Sequence, residues 1–567
     1  MTAIGLTAAH RWLTLLLCVQ LSMAYASSSE SPYDLIIADG HVIDGTGSPW
    51  YQGDIGIRGG RIAAIGKLKG EPARRTIEAK GMVVAPGFID MLGQSEFTLL
   101  IDPTVPSKVF QGITTEISGE GRSAAPLSDD FVRTHSELHI TPDWRTLDQY
   151  FTRLQKQGIG INFATYVGAT QVRELVLGDA NVTPTAAQLQ AMKSLVHAAM
   201  LQGAMGVSTS LEYAPAPYAS TEELIALASE AAPFGGIYAT HIRTEGEGEM
   251  AALDEAIRIG REASVPVEIF HIKTEGKPSF GKMPEVVAKI ETARASGVDV
   301  TADTYAYPAW GNALSAFIPP WAHDGGDAKL LERLRDPATR RRIRKDLLTP
   351  SRDWENEWQE IGGPADILVG AVQNPQLRTL QGKRLAQIAS QWKEDPIDAL
   401  FDLLIQDEAR TGVLVFGISE PDITLALQQP WVSVGTDFPG ISPTGPLGQV
   451  HAHPRGYGTF PRILRKYVRE EHKLSLPEAI RKFSALPAQR LHLTDRGVLK
   501  KGMWADVVVF SPERIRDVGT FEDPDHLSEG MQYVLVNGVP VIDAGNATHA
   551  LPGQVLRGPG YHPTPIP

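Results

Sequence analysis

Residues 235–248, GGIYATHIRTEGEG, and 265–277, VPVEIFHIKTEGK, decide how this chain is read. In each, an apolar run of strand type ends on a histidine: His241 closes GIYATH and His271 closes VEIFH. The two lie 30 residues apart, about one strand–helix unit, so they can stand on adjacent parallel strands at one rim. Working outward, runs of the same buried type occur at 83–90, 113–120, 159–168, 205–211, 299–307 and 431–437. Helical patterns, such as 185–202 and 221–232, lie between most of them. Strand–helix alternation over more than 350 residues predicts an α/β fold with a parallel (β/α)8 barrel. Two further runs, 367–374 and 413–419, make ten candidates for eight places. The charged stretch 327–348, DAKLLERLRDPATRRRIRKDLL, marks a helical insertion at about 321–361. There is no short internal repeat and no low-complexity tract.

The two ends read differently. Segments 34–44, 53–66, 74–90, 505–512 and 531–545 are short alternating runs with glycine turns. Each end alone is too small to be stable, so the two are expected to pair on the barrel's flank. The resulting division is 27–86 and 496–567 for the β unit and 87–495 for the barrel.

With 43% hydrophobic and 21% charged residues, the composition is that of a globular protein and excludes disordered or fibrous classes. The net charge of −13 disfavours nucleic acid and anionic membranes as partners. Arg11, an apolar run at 12–23 and Ala24-Tyr25-Ala26 read as a signal peptide over 1–26. Export, most simply to a periplasm, is the expectation, with no stable membrane insertion after cleavage. Cys18 is the single cysteine, so a mature chain from Ser27 has no disulfide and no thiolate ligand. Oligomeric state is not legible in the sequence.

In a barrel, chemistry collects where strands end. Glu120 ends ITTEISGE and Asp437 ends WVSVGTD, so four ionisable groups close apolar strands: Glu120, His241, His271 and Asp437. Either histidine alone reads more readily as a hydrogen-bonded core or loop residue. Together the four favour a metal site, because imidazole and carboxylate suit Zn²⁺ and its neighbours Mn, Fe, Co and Ni. In that arrangement Asp437 accepts a proton from water and passes it to a leaving group. Lys273 follows His271 by two residues, and Arg455 lies in HAHPRGYGTFPR. Arginine suits bidentate carboxylate recognition, although an isolated one is more often solvated. Tyr305 and Tyr307 face one way and either line a pocket or pack. His451 and His453, in a Pro/Gly-rich loop, read as supporting residues.

Taken together, DGHVIDGTGSPWYQGDIGIRGGRIAAIG (39–66), GMVVAPGFID (81–90), YATHIRTEGEG, IFHIKTEGK, VGTDFPG (434–440), HPRGYGTFPRILRKYV (453–468) and KKGMWADVVVFSPERIRD (500–517) resemble one family. This is the N-acyl-D-amino-acid deacylase, or D-aminoacylase, family of the amidohydrolase superfamily. The resemblance spans nearly the whole chain after the expected signal peptide. It implies a distorted (β/α)8 barrel beside a small β-sandwich built from both termini. It also implies a zinc-dependent hydrolase that frees a D-amino acid from its N-acyl derivative. On that pattern His241 and His271 are metal ligands and Asp437 is the acid/base. Lys273, Tyr305 and Arg455 bind the substrate carboxylate.

Two positions depart from the pattern. PGFIDMLGQSEF (86–97) places Leu92 and Gln94 where the family has an H-x-H metal pair. ISGEGRSAAP (117–126) has no metal-binding cysteine, and Glu120 offers a carboxylate beside the vacated place. The expectation is therefore one divalent metal, held by Glu120, His241 and His271. The alternatives are a cyclic amidase, a D- or iso-dipeptidase on the same barrel, or a non-catalytic periplasmic binding protein.

Overall fold

The run at 83–90 divides at Gly87. Val83–Pro86 pairs antiparallel with Val507–Phe510, whereas Phe88–Asp90 pairs parallel with Ile113–Ser118. A Cβ on residue 87 would stand 2.2 Å from the Thr114 side chain, so the switch between the two sheets needs a glycine. The computed structural model describes residues 32–134, 140–351 and 354–562. The expected signal peptide, 1–26, lies outside them.

Eight parallel segments follow one another from Phe88. They are Phe88–Asp90, Ile113–Ser118, Asn162–Thr165 with Val167–Gly168, Gly206–Ser210, Ile237–His241, Val267–Ile269, Val300–Thr304 and Val432–Val434. The last meets the first through the Met91 N–H to Val434 O bond at 3.2 Å and the Asp437 N–H to Leu92 O bond at 2.8 Å. This is the distorted barrel. Its strands are buried on both faces, as every residue of Ile113–Ser118 shows, because helices cover the outside. The helix Ala186–Leu201 starts where the sequence signals it, with Thr185 and Gln188 forming a capping box.

The two surplus runs are not barrel strands. Ile367–Ala371 and Gly412–Phe416 pair antiparallel with each other, and Ala309–Ala313 adds to Gly412–Phe416. They belong to a long excursion between Val300–Thr304 and Val432–Val434. The same excursion carries the charged helices Asp327–Arg335 and Pro337–Leu347. Apolar strands of this length look alike whether they enter a barrel or an accessory sheet, so the pattern alone could not separate them.

Both termini share one sheet. Its path runs Asn546–Ala547, Val539–Asp543, Met531–Val536, Val507–Phe510, Val83–Pro86, Leu35–Val42, Tyr51–Arg58 and Arg61–Gly66, with Thr76–Glu78 beside Leu35–Val42. A separate core that includes Leu35, Ile57, Val84, Val507 and Leu535 fills it. The β unit is thus one continuous hydrogen-bonded sheet rather than two. The tail beyond it returns under the barrel, where Leu556 N–H donates to Phe163 O at 2.8 Å.

Candidate active site

The histidines of the two opening motifs meet at the C-terminal rim. Ile237–His241 and Val267–Ile269 are neighbouring parallel strands, which brings His241 Nδ1 to 3.0 Å from His271 Nε2. Glu120, just beyond Ile113–Ser118, places Oε1 3.2 Å from His271 Nε2 and 3.3 Å from His241 Nδ1. Ligand atoms held tetrahedrally at about 2.0–2.1 Å from zinc stand about 3.3–3.4 Å apart. The three residues, whose donor atoms lie within 4.8 Å of one another, therefore fit a single divalent metal. Burial alone pushes the Glu120 carboxyl up, but the two imidazoles outweigh it and hold it well below its usual range. Burial likewise pushes His241 and His271 down, and the surrounding carboxylates reverse this and raise both. The surroundings thus favour positive charge at this point.

Each imidazole is oriented through its other nitrogen. His241 Nε2 lies 2.9 Å from Glu212, and His271 Nδ1 lies 3.1 Å from Glu245. Such outer carboxylates fix ring orientation at metal centres. Neither was singled out from the sequence. The sequence does carry a signal for Glu245, a six-residue recurrence too short to count as a structural repeat. H-I-R-T-E-G at 241–246 recurs as H-I-K-T-E-G at 271–276. Its two glutamates both pair with Lys273, whose ammonium donates a hydrogen bond to Glu245 and lies 3.3 Å from Glu275.

Asp437 lies beyond Val432–Val434 with a left-handed φ of 49°, and His271 has a φ of 34°. Such backbone is costly for residues other than glycine and persists where neighbours hold it. Here the Asp437 N–H is bound to Leu92 O, and the His271 N–H donates to Asp303 at 3.0 Å. Below them Lys108, fully buried, donates to Asp90 at 2.7 Å, Thr436 at 2.8 Å and Phe438 O at 2.7 Å, bracing both neighbours of Asp437. Burial raises the Asp437 carboxyl, partly offset by Arg455 and His271. Gln94 Nε2 donates to Glu120 at 3.0 Å and Asp437 at 3.1 Å. The Gln94 amide thus links Glu120 to Asp437 as a hydrogen-bond donor.

A cavity of about 330 Å³ opens over these groups, walled by Glu120, His241, His271, Lys273, Asp437 and Arg455, with Tyr213 beside His241. Six of the seven residues singled out from the sequence share it. Tyr305 stands one layer behind, its ring 4.5 Å from the Arg455 guanidinium carbon. Arg455 is 3% exposed, and its Nη1 lies 2.7 Å from Asp437 Oδ2. Among the described residues its Nε and Nη1 have no aligned acceptor. A buried guanidinium with spare donors at a cavity wall suits an incoming carboxylate. Tyr307 packs away from the cavity, against His453 and Phe521. His453 braces backbone: Nε2 donates to Ala309 O at 2.9 Å and Nδ1 accepts from Arg455 N–H at 3.0 Å.

A model of the amidohydrolase family, Amidohydro_3, matches residues 75–542. The chain belongs to the amidohydrolase family. This amidohydrolase is 34% identical over 527 residues to N-acyl-D-glutamate deacylase of Alcaligenes xylosoxydans xylosoxydans, covering 92% of this chain and 96% of the relative. It is also similar to the crystal structure of N-acyl-D-glutamate deacylase from Bordetella bronchiseptica, complexed with zinc and a phosphonate mimic of the tetrahedral intermediate. That similarity has a TM-score of 0.78 and 34% identity over 93% of this chain and 100% of the other. A D-aminoacylase structure, described in terms of a binuclear metal centre with one-metal activation and second-metal attenuation, matches with a TM-score of 0.78. It is 33% identical over 93% of this chain and 100% of the other.

Proposed function

We propose that this amidohydrolase is a metal-dependent hydrolase of linear amides that converts an N-acyl-D-amino acid to the D-amino acid and a carboxylate. The observation that carries the reading is the triad of Glu120, His241 and His271 facing Asp437 and the spare donors of Arg455 across one cavity. The zinc and phosphonate bound by the Bordetella relative, and the substrate names of the relatives, support it. Glu120, His241 and His271 would hold one zinc ion, which supplies Lewis acidity toward an amide carbonyl and water.

Arg455 receives the substrate carboxylate in its fork, with Lys273 adding positive charge and Tyr305 backing the guanidinium. This anchoring places the amide between Asp437 and the triad. Asp437 accepts the proton of the attacking water and returns it to the departing nitrogen. Its raised carboxyl pKa makes its carboxylate the stronger base toward the attacking water in the first step. The buried walls exclude competing water. Gln94 keeps Asp437 aimed, and its amide is a poor zinc ligand, which supports one metal per chain. The apolar segment at the N-terminus supports export, which fractionation of the native host would test.

The experiment is metal analysis of purified protein beside turnover of N-acetyl-D- and N-acetyl-L-amino acids. One metal per chain with D-selective hydrolysis is the expected result. Hydrolysis of a cyclic amide lacking a free carboxylate in preference to these would favour the cyclic amidase. Neither metal nor turnover would favour a binding protein.

A further inference from the structure

A second cavity of about 450 Å³ adjoins the first. Gln94, Glu120, Phe438 and Val450 wall both cavities, so the two meet at the Glu120 side of the triad. Beyond that shared rim the second is lined by Phe97, Leu127, Ile441 and Leu447, which come from the loops after the first, second and eighth barrel strands. We propose that it is the acyl subsite, and that it selects medium-length to long apolar acyl chains. This rests on the deacylase reading and names its substrate class.

The direction follows from the anchor. The two substituents of an amide leave its plane of attack on opposite sides. The amino-acid side is held in the first cavity, where Arg455 and Lys273 lie. The acyl carbon's substituent is then directed past Glu120 into the second cavity, which is the more apolar of the two that adjoin the first. The charge pattern argues for a neutral chain. Arg122 at this wall is paired with Glu174, and Glu96 adds a carboxylate that repels an acidic acyl group. The size argues for a long one. A cavity this large falls in the range that takes ligands of many atoms, about 300–1,000 Å³, and an acetyl methyl would leave most of it to water.

The test compares kcat/KM for N-acetyl, N-hexanoyl and N-decanoyl derivatives of one D-amino acid, using the zinc-loaded full chain. Each buried methylene is worth about fourfold, so hexanoyl, with four more than acetyl, is expected to exceed it by about 250-fold if all four are buried and by about sixteenfold if only two are. Leu127→Trp and Leu447→Trp, which narrow the cavity from two different loops, are each expected to lower the hexanoyl-to-acetyl ratio by about tenfold. Binding of decanoate alone, followed by calorimetry, reads the same subsite without turnover and should weaken in both variants. If acetyl is hydrolysed and hexanoyl is no better, or if both variants leave the ratio unchanged, the subsite is elsewhere. If no derivative is hydrolysed, the deacylase reading fails and decanoate binding decides. Weakening in both variants supports an apolar-chain site, and no binding overturns it.

Discussion

Asp437 and Glu245 show how differently two carboxylates can act within one site. Asp437 faces the cavity and, in the proposed mechanism, carries the proton, so Asp437→Asn would remove that chemistry while Gln94 and Arg455 still surround an amide of equal size. We expect kcat to fall by about 10²–10⁴-fold, with metal content and thermal midpoint unchanged. Normal turnover by this variant would remove Asp437 from the mechanism. Glu245 never reaches the cavity. It holds His271 Nδ1 and Lys273, so Glu245→Gln is expected to weaken metal binding by about 10–100-fold, measured by titration against a competing chelator. A variant that binds metal normally would make Glu245 a partner of Lys273 alone. Asp437 and the two histidines were legible because each ends an apolar strand. Glu245 follows a strand end by four residues, and its role depends on a loop turning back, which spacing does not express.

The excursion between the seventh and eighth barrel strands brings a second acidic layer over the rim. Its short helix Glu357–Glu360 puts Glu360 beside Glu355, near Glu212 behind His241. Burial, and then the charge of Glu212, push the Glu360 carboxyl up to about 7. A carboxyl bound more tightly to its proton when folded favours folding while protonated. That contribution is complete below the ordinary value of 4.5 and is lost as pH rises through about 7. Glu360→Gln keeps the neutral form at every pH. It should match the parent at pH 4.5 and exceed it by about 1–3 kcal/mol at pH 8.5, measured by urea unfolding at both values. Lower stability of the variant at pH 8.5 would mean that the ionised carboxylate is well paired. From sequence this element reads as charged helix. That is correct for Asp327–Arg335 and Pro337–Leu347 and silent about the three glutamates that turn inward.

At the scale of the molecule, the chain's ends are tied to each other and to the barrel floor. Val83–Pro86 joins the N-terminal strands to Val507–Phe510, and Phe88–Asp90 continues directly into the barrel. The tail then runs beneath it, with Gly553 N–H to Ile159 O at 2.8 Å and Arg557 paired to Asp148 at 2.7 Å. All of these contacts lie on the face opposite the site. Ending the chain at Thr548 should therefore lower the thermal midpoint by several degrees, a loss of about 2–4 kcal/mol, while metal stoichiometry at low temperature stays the same. Loss of metal binding in the folded truncated protein would show that the tail supports the rim as well as the floor.

The sequence by itself determined the strand–helix alternation, the two-ended β unit and the identity of the residues at strand ends. Each of these is a local pattern: apolar periodicity, turn residues and a polar group closing an apolar run. It also determined that Leu92 and Gln94 leave no H-x-H pair, since side-chain chemistry is fixed before folding. Only the tertiary structure decided which eight of ten apolar runs close the barrel, because strand pairing is a choice among distant partners. It alone set Gln94 between Glu120 and Asp437 and placed Tyr305 behind Arg455. It also opened an apolar cavity on the far side of the triad. Those features join residues hundreds of positions apart, and their distances exist only once the barrel has brought its loops to one rim.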